Sequence, residues 1–277
     1  GGHDRSAGMN ERAKHILKTA GKVLGGFAVL AALGFVEHGS DNVPVHDVQV
    51  AMDEGEGLHF IDGIALREQI IQGAGPVIGT PMYKVDETGI EQRLRAIPCL
   101  AEADVYHTMD GVLHVKARQR EPIVRVVNAD GTGFYIDREG WTMPLNDNYT
   151  ARVLVVTGQL FEPFGKTAPV DLATSTDSIV QHTHSRAIYA MASILVADPL
   201  WNALFEQAVV AADGSIDLIP RIGGQVVRIG DGSKLRQRLA KLKDFYAQGI
   251  PQADWRRYST IDLRFDDQVV CTKRTLY

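Results

Sequence analysis

Glu102–Arg118, EADVYHTMDGVLHVKAR, carries the reading of the fold. Glu102–Thr108 has strand character, Met109-Asp110-Gly111 supplies a turn, and Val112–Arg118 returns as a second strand. An Asp-Gly pair between two such runs is a hairpin signal, because the left-handed turn position suits glycine. Upstream, Val43–Val50 (VPVHDVQV) alternates apolar and polar, with Val43, Val45, Val48 and Val50 as inward candidates for another strand. Met52–Gly57 reads as a turn and Leu58–Ile61 as renewed strand character. Ile64–Ile71 is a short amphipathic helix with Asp62 as its N-cap. After the Gly/Pro-rich loop Gly73–Pro81, Thr88–Ile97 is a second helix. Thr88 and Glu91 form its capping box, and Ile90, Leu94 and Ile97 its apolar stripe. The order is strand, helix, helix, strand, strand. A three-stranded sheet covered by two helices would bury a small core.

Downstream the grammar repeats. Ile123–Asn128 is a strand, and Phe134–Asp137, Arg138-Glu139-Gly140 and Trp141–Leu145 make a hairpin. Arg152–Gly158 is a β-branched strand. Ser185–Leu204 is helical and restarts at Pro199. Strands follow at Phe205–Ala211, Ser215–Ile219 and Gln225–Ile229, then a helix at Asp231–Ala247 with Leu235, Leu239, Leu242 and Tyr246 on one face. The chain is expected to close with a strand from Tyr258 to Phe265, a turn or bulge at Asp266-Asp267, and a strand from Gln268 to Thr272. This gives an α+β fold in which the second, mixed α/β module has a largely antiparallel sheet.

The amino end differs from the rest. Gly1–Gly8 precede Met9 and read as a tag or extension. Arg12, Lys14, Lys18 and Lys22 are basic, Val23–Val36 carries no charge, and Glu37, Asp41, Asp47 and Asp53 are acidic. Counted from Thr19, the apolar run is 18 residues, and a spanning helix needs about 17–25. A cleaved signal peptide and a buried core helix are alternatives. A poor cleavage region at Phe35-Val36-Glu37 counts against the first, and the charge step against the second. A single membrane anchor at 19–37 accounts for length, flanks and polarity together, with Val23, Leu24, Phe27, Leu30, Leu33 and Phe35 facing lipid. The basic side stays in the cytoplasm, which makes residues 1–18 a cytoplasmic tail and places the body outside.

Composition excludes several classes. The 277 residues carry a net charge of −5, with 45% hydrophobic and 23% charged residues. No bulk positive field would hold nucleic acid. Two cysteines, Cys99 and Cys271, are too few for a disulfide scaffold and lack zinc spacing. They read as free buried thiols. No nucleophile elbow, phosphate loop or H-E-x-x-H pattern occurs. His182 and His184 read as surface loop rather than metal ligands, since no third ligand is near them in sequence. His46, Asp47 and His59 read as strand and turn residues rather than an acid–base set. Gly223-Gly224 is a turn, and Trp255 beside Arg256-Arg257 a solvated corner. No catalytic residue, metal, cofactor or small-molecule substrate is indicated.

Four phrases, in order, carry a resemblance. Strand, two helices and hairpin after a single anchor resemble a POTRA module, here 43–122. Ile97-Pro98, Ala103-Asp104-Val105 and Leu113–Pro122 (LHVKARQREP) resemble the exit of that module in the bacterial FtsQ/DivIB family. Ile136-Asp137-Arg138-Glu139-Gly140 resembles that family's I-D-x-x-G step. Gly230, the helix Leu235–Tyr246 and Ile261-Asp262-Leu263-Arg264-Phe265 resemble its closing helix and D-L-R-Y strand, with Phe265 in the tyrosine's place. The likeness runs from Lys18 to Cys271. It implies a β domain at 123–277 and a non-catalytic scaffold of the division machinery in the inner membrane. FtsB-like and FtsL-like single-span partners would bind by strand addition to the last sheet edge, and septal wall synthesis would be supported. The residues implied in that contact are Phe265, Asp266, Asp267, Gln268 and Val269; Asp267 replaces a small residue. Tyr258, Ile261 and Leu263 read as core. A membrane-anchored POTRA chaperone or secretion factor, or an anchored extracytoplasmic enzyme, is the alternative class.

Overall fold

The computed structural model describes residues 43–53, 57–73, 76–147, 149–166, 168–249 and 257–274. The anchor residues Val23, Leu24, Phe27, Leu30, Leu33 and Phe35 lie outside these, as do Trp255 and Arg256. Among the described residues no helix is long and apolar enough to cross a membrane.

Among the described residues twelve strands and six α-helices follow one another. They are β1 (Asp47–Asp53), α1 (Gly63–Gly73), α2 (Glu87–Arg95), β2 (Leu100–Thr108), β3 (Val112–Gln119), β4 (Pro122–Val127), β5 (Gly133–Asp137) and β6 (Thr142–Pro144). Then come β7 (Leu154–Gly158), α3 (Ser178–Gln181), α4 (Ser185–Ala197), α5 (Pro199–Leu204), β8 (Phe205–Val210), β9 (Ile216–Pro220), β10 (Val226–Gly230), α6 (Leu235–Asp244), β11 (Tyr258–Asp262) and β12 (Val270–Lys273). The strands form two sheets, ordered β1-β3-β2 and β12-β11-β10-β9-β8-β7-β4-β5-β6. By compactness the chain divides into two units. One holds the residues up to Ala51, Gly63–Glu91 and Asp104–Lys116; the other holds Met52–Asp62, Gln92–Ala103 and Ala117 onward.

In the first unit Val45, Val48, Leu66, Ile70, Met82, Ile90, Val105, Leu113 and Val115 are buried. Leu113 and Val115 alternate along β3, and Leu66 and Ile70 lie one turn apart on α1. β1 begins four residues later and ends three residues later than the alternation suggested. Val43–His46, expected in the strand, bond instead to the turn before the short 3₁₀ segment Met82–Lys84 and to the hairpin tip. The cap of α2 is Asp86, whose Oδ1 accepts from Gly89 N at 2.9 Å. The expected Thr88–Glu91 box does not form, because the helix starts at Glu87 and Thr88 lies inside it; Glu91 Oε1 accepts from Val105 N in β2 at 3.0 Å.

The second unit has a nine-stranded sheet with helices packed against its main core. Ile188, Met191, Ala192 and Leu195 of α4 and Leu235, Leu239 and Leu242 of α6 join Val124, Val126, Phe134, Ile136, Val156, Ala208, Leu218, Val227 and Ile261 there. Among the described residues the sheet is mixed, with five antiparallel pairings and three parallel ones. β4·β7, β7·β8 and β10·β11 are parallel, and β4·β5, β5·β6, β8·β9, β9·β10 and β11·β12 antiparallel. Parallel neighbours need long crossovers, and α3–α5 and α6 supply two of them. A smaller cluster holds Leu58, Phe60, Tyr135, Met143 and Ala151. Leu58–Ile61 contributes to it without being a strand. Phe60 N donates to Gln119 Oε1 at 3.1 Å, Gln119 Nε2 to Ile61 O at 3.0 Å and Asn146 Nδ2 to Phe60 O at 3.1 Å. Side-chain amides thus replace the strand ladder that this backbone lacks.

Three caps and turns explain why elements stop where they do. Asp198 Oδ1 accepts from Leu200 N at 2.9 Å, and Pro199 opens α5, so the helix restarts there. Asp137 accepts from Glu139 N at 2.9 Å and Trp141 N at 2.7 Å, closing the β5–β6 turn. Glu162 is buried and caps α4 from a distance. It accepts from His184 N at 3.0 Å, Ser185 N at 3.1 Å and the Ser185 hydroxyl. A carboxylate at a helix N-terminus meets orphan N–H groups and the positive end of the dipole. Glu162→Ala is expected to cost about 2–3 kcal/mol in urea unfolding. A loss below about 0.5 kcal/mol would show that water replaces the carboxylate at no cost.

Candidate partner-binding edge

Every sheet that is not closed has two edges with unpaired backbone groups. In the nine-stranded sheet these are β6 and β12. β6 is covered. Thr142 N donates to Val170 O at 2.9 Å, Leu172 N to Gly140 O at 2.8 Å, Val170 N to Thr142 Oγ1 at 2.9 Å, and Trp141 bridges Asp171. β12 pairs with β11 through Tyr258↔Lys273, Thr260↔Thr272, Ile261↔Cys271 and Asp262↔Val270. Among the described residues no strand lies on its other side.

β12 is four residues long and is held at both ends. Arg274 N donates to Arg257 O at 2.6 Å, and its Nη2 to Gly224 O at 3.0 Å. Gly223 and Gly224, both in the left-handed region, form the turn expected there. At the other end, Leu263 to Val269 connect β11 to β12. β11 stops at Asp262, short of the expected Phe265, and β12 starts at Val270 rather than Gln268. The cause lies in two lysines of the α6 region. Lys241 Nζ donates to Leu263 O at 3.3 Å, Asp266 O at 3.2 Å and Phe265 O, which uses all three of its donors. Lys234 Nζ donates to both carboxylate oxygens of Asp266, at 3.1 and 3.2 Å. Carbonyls turned toward the ammonium are drawn away from the β11–β12 ladder. Arg264 folds back onto Asp262, with Nη2 2.6 Å from Oδ2 and Nε at 3.0 and 3.1 Å. That guanidinium holds the Asp262 carboxyl below the usual carboxylate range.

The five residues implied by resemblance therefore lie in the connection, not in the strand. Phe265 is 45% exposed. Asp266 faces Lys234. Asp267, Gln268 and Val269 line a shallow groove with Lys241, Asp244, Phe245 and Gln248. Val269 is half-buried against the main core, whereas Val270, its neighbour in β12, is 37% exposed. Ile261 and Leu263 are buried and Tyr258 is half-buried. The lysines were not singled out in the sequence. The place of Lys241 on a helix whose Leu235, Leu239 and Leu242 face the core is the signal that would have marked it, whereas Lys234 precedes that helix in the left-handed region.

The remaining candidates have structural roles. His182 Nδ1 lies 2.6 Å from Ser178 O at the end of α3, and His184 precedes α4. His46 N donates to Gly111 O at 2.9 Å, and Asp47 pairs with Arg67 at 3.0 Å. Cys99 and Cys271 are free and half-buried, and burial pushes both thiols up, away from a reactive thiolate. Among the described residues no group of three or more His, Cys, Asp or Glu could hold a metal ion.

Comparison with known proteins fits this geometry. A chain named cell division protein FtsQ from Salinibacter ruber is 28% identical over 272 residues, 95% of each chain. Another so named from Rhodothermus marinus is 27% identical over 198 residues, covering 69% of this chain and 67% of that one. A third from Geotalea daltonii is 22% identical over 261 residues, covering 93% and 88%. The family model described as "FtsQ/DivIB, C-terminal related" matches residues 121–272, from the start of β4 to the middle of β12. That match covers more than half of the sequence, and the chain belongs to the FtsQ/DivIB C-terminal related family.

Proposed function

We propose that this chain is a non-catalytic, single-span scaffold of the bacterial division machinery. Residues 1–18 are its cytoplasmic tail, 19–37 its anchor in the inner membrane, 43–122 a POTRA module and 123–277 an extracytoplasmic β domain. It acts at the division site by binding FtsB-like and FtsL-like single-span partners and so supports septal wall synthesis. The partner adds a strand to β12, with Phe265, Asp266, Asp267, Gln268 and Val269 beside it. The observation that carries the reading is the contrast, among the described residues, between the two sheet edges, one covered by Val170–Leu172 and the other open. In strand addition the main-chain bonds supply affinity, and alternate side chains supply specificity.

Capture from native membranes with the full chain tests the reading. The expected catch is a pair of single-span coiled-coil division proteins. Recovery of unfolded clients, or of none but soluble proteins, would contradict it. A reporter fused after Tyr277 is expected to be active only outside the cytoplasm; cytoplasmic activity would overturn the orientation.

A further inference from the structure

Three exposed apolar side chains surround the point where the described chain begins. Ile78 is 40%, Tyr83 58% and Met109 79% exposed. They come from separate segments, but hydrogen bonds gather those segments around Val43–His46. Val45 N donates to Thr80 O at 2.9 Å, Gly79 N to Val45 O at 2.7 Å and Met82 N to Val43 O at 3.1 Å; Pro44 bridges Pro81. From the hairpin tip, Gly111 O accepts from His46 N at 2.9 Å. Gly111 packs so closely that an added Cβ would lie 2.5 Å from His46 Nδ1 and 3.0 Å from Pro44 O. All of these residues belong to the first compact unit.

Acidic residues next to these loops are engaged within the fold. Asp86 caps α2, and Asp110 accepts from Thr108 Oγ1 and from Val112 N at 3.4 Å. Lys84 Nζ lies 5.4 Å from the centre of the Tyr83 ring. A tyrosine beside a lysine, with neighbouring aliphatic tips, is the chemistry of the lipid–water interface. The ring sits at headgroup depth, and the lysine stem extends its charge to water.

We infer that this end of the first unit rests on the bilayer surface, with Ile78, Tyr83 and Met109 among the headgroups. The inference rests on the proposed anchor. Only six residues, Glu37–Asn42, separate the apolar run from Val43. Fully extended they reach at most about 20 Å. This short tether keeps the three side chains at high local concentration near lipid, so a contact too weak to bind alone is populated. One lysine among acidic neighbours makes the contact apolar rather than electrostatic, so it does not need anionic lipid.

The full chain in phosphatidylethanolamine/phosphatidylglycerol vesicles provides the test, with Cys99→Ala and Cys271→Ala as background. A nitroxide is attached after Met109→Cys, after Tyr83→Cys, or after Asp104→Cys, an exposed position about 15 Å along β2 from the tip. Power saturation then compares access of oxygen and of a water-soluble nickel complex. The labels at 109 and 83 are expected to show a several-fold higher oxygen-to-nickel ratio than the label at 104, unchanged when phosphatidylglycerol is omitted. Equal, aqueous ratios at all three positions would overturn the inference. Flotation of the same samples reads the anchor separately. A chain that floats with aqueous labels keeps the anchor and loses the surface contact, whereas a chain that does not float loses both.

Discussion

Arg120→Met is expected to lower the unfolding free energy by about 3–5 kcal/mol, the usual cost of removing one partner of a buried ion pair. Arg120 Nη1 donates to Asp137 Oδ2 at 2.8 Å, with side-chain exposures of 8% and 2%. Arg120 Nε also donates to Pro98 O at 3.2 Å, and the guanidinium lies 5.0 Å from the centre of the Trp141 ring. Without it, Asp137 is left as a buried carboxylate with only the N–H groups of Glu139 and Trp141. Methionine keeps much of the volume, so the effect reads the charge rather than a cavity. Urea unfolding at pH 7.5 is the measurement, and a loss below about 1 kcal/mol would contradict this account. The deficit should also narrow as the solution is acidified. Burial already pushes the Asp137 carboxyl above its ordinary value, against the downward pull of Arg120 and the Trp141 N–H. A raised folded-state pKa means that the native protein binds more protons than the unfolded chain, so stability gains as pH falls through that window. Removing Arg120 raises the carboxyl further, so the variant gains more than the wild type.

Partner capture is expected to fall at least about tenfold with Phe265→Ala, and similarly with Val270→Glu, a change of about 1.4 kcal/mol or more in each case. Phe265 is an exposed ring held outside the core because Lys241 and Lys234 bind the connection around it. Such a ring gains more from burial under a partner than it contributes to folding. Val270→Glu places a carboxylate in the edge strand opposite Asp262. Phe265 is exposed, so its variant should shift the melting temperature little, whereas Val270→Glu should lower it modestly because two carboxylates then face each other across the pair. Val269→Glu is a poorer probe, since its side chain packs partly against the main core and would lower stability as well as binding. If both exposed variants bind as tightly as the wild type, this edge is not the contact.

The hairpins, the Pro199 restart and the order of elements were legible because local chemistry sets them: Asp-Gly turns, apolar periods and a proline at the first helical position. What the sequence hid depends on distant partners. Glu162 caps a helix more than twenty residues away in sequence, and Asp137 reads as a turn residue until Arg120 stands beside it. Leu58–Ile61 has strand-like side chains, but its backbone is satisfied by Gln119 and Asn146. The parallel pairs were missed for a related reason. Helices Ser185–Leu204 and Leu235–Tyr246 lie between strands, as crossovers do, yet nothing local fixes which strand the chain returns to. At the last edge the D-L-R phrase located β11, but the lysines at its end come from α6 and from the residue that precedes it.

Backbone amide exchange in β12, with the full chain free and then bound to its single-span partner, tests the central claim most directly. Strand addition predicts that outward-facing amides among Val270–Lys273 slow by at least about tenfold on binding, with the rest of the sheet nearly unchanged. Tight binding with no change in β12 would contradict the account.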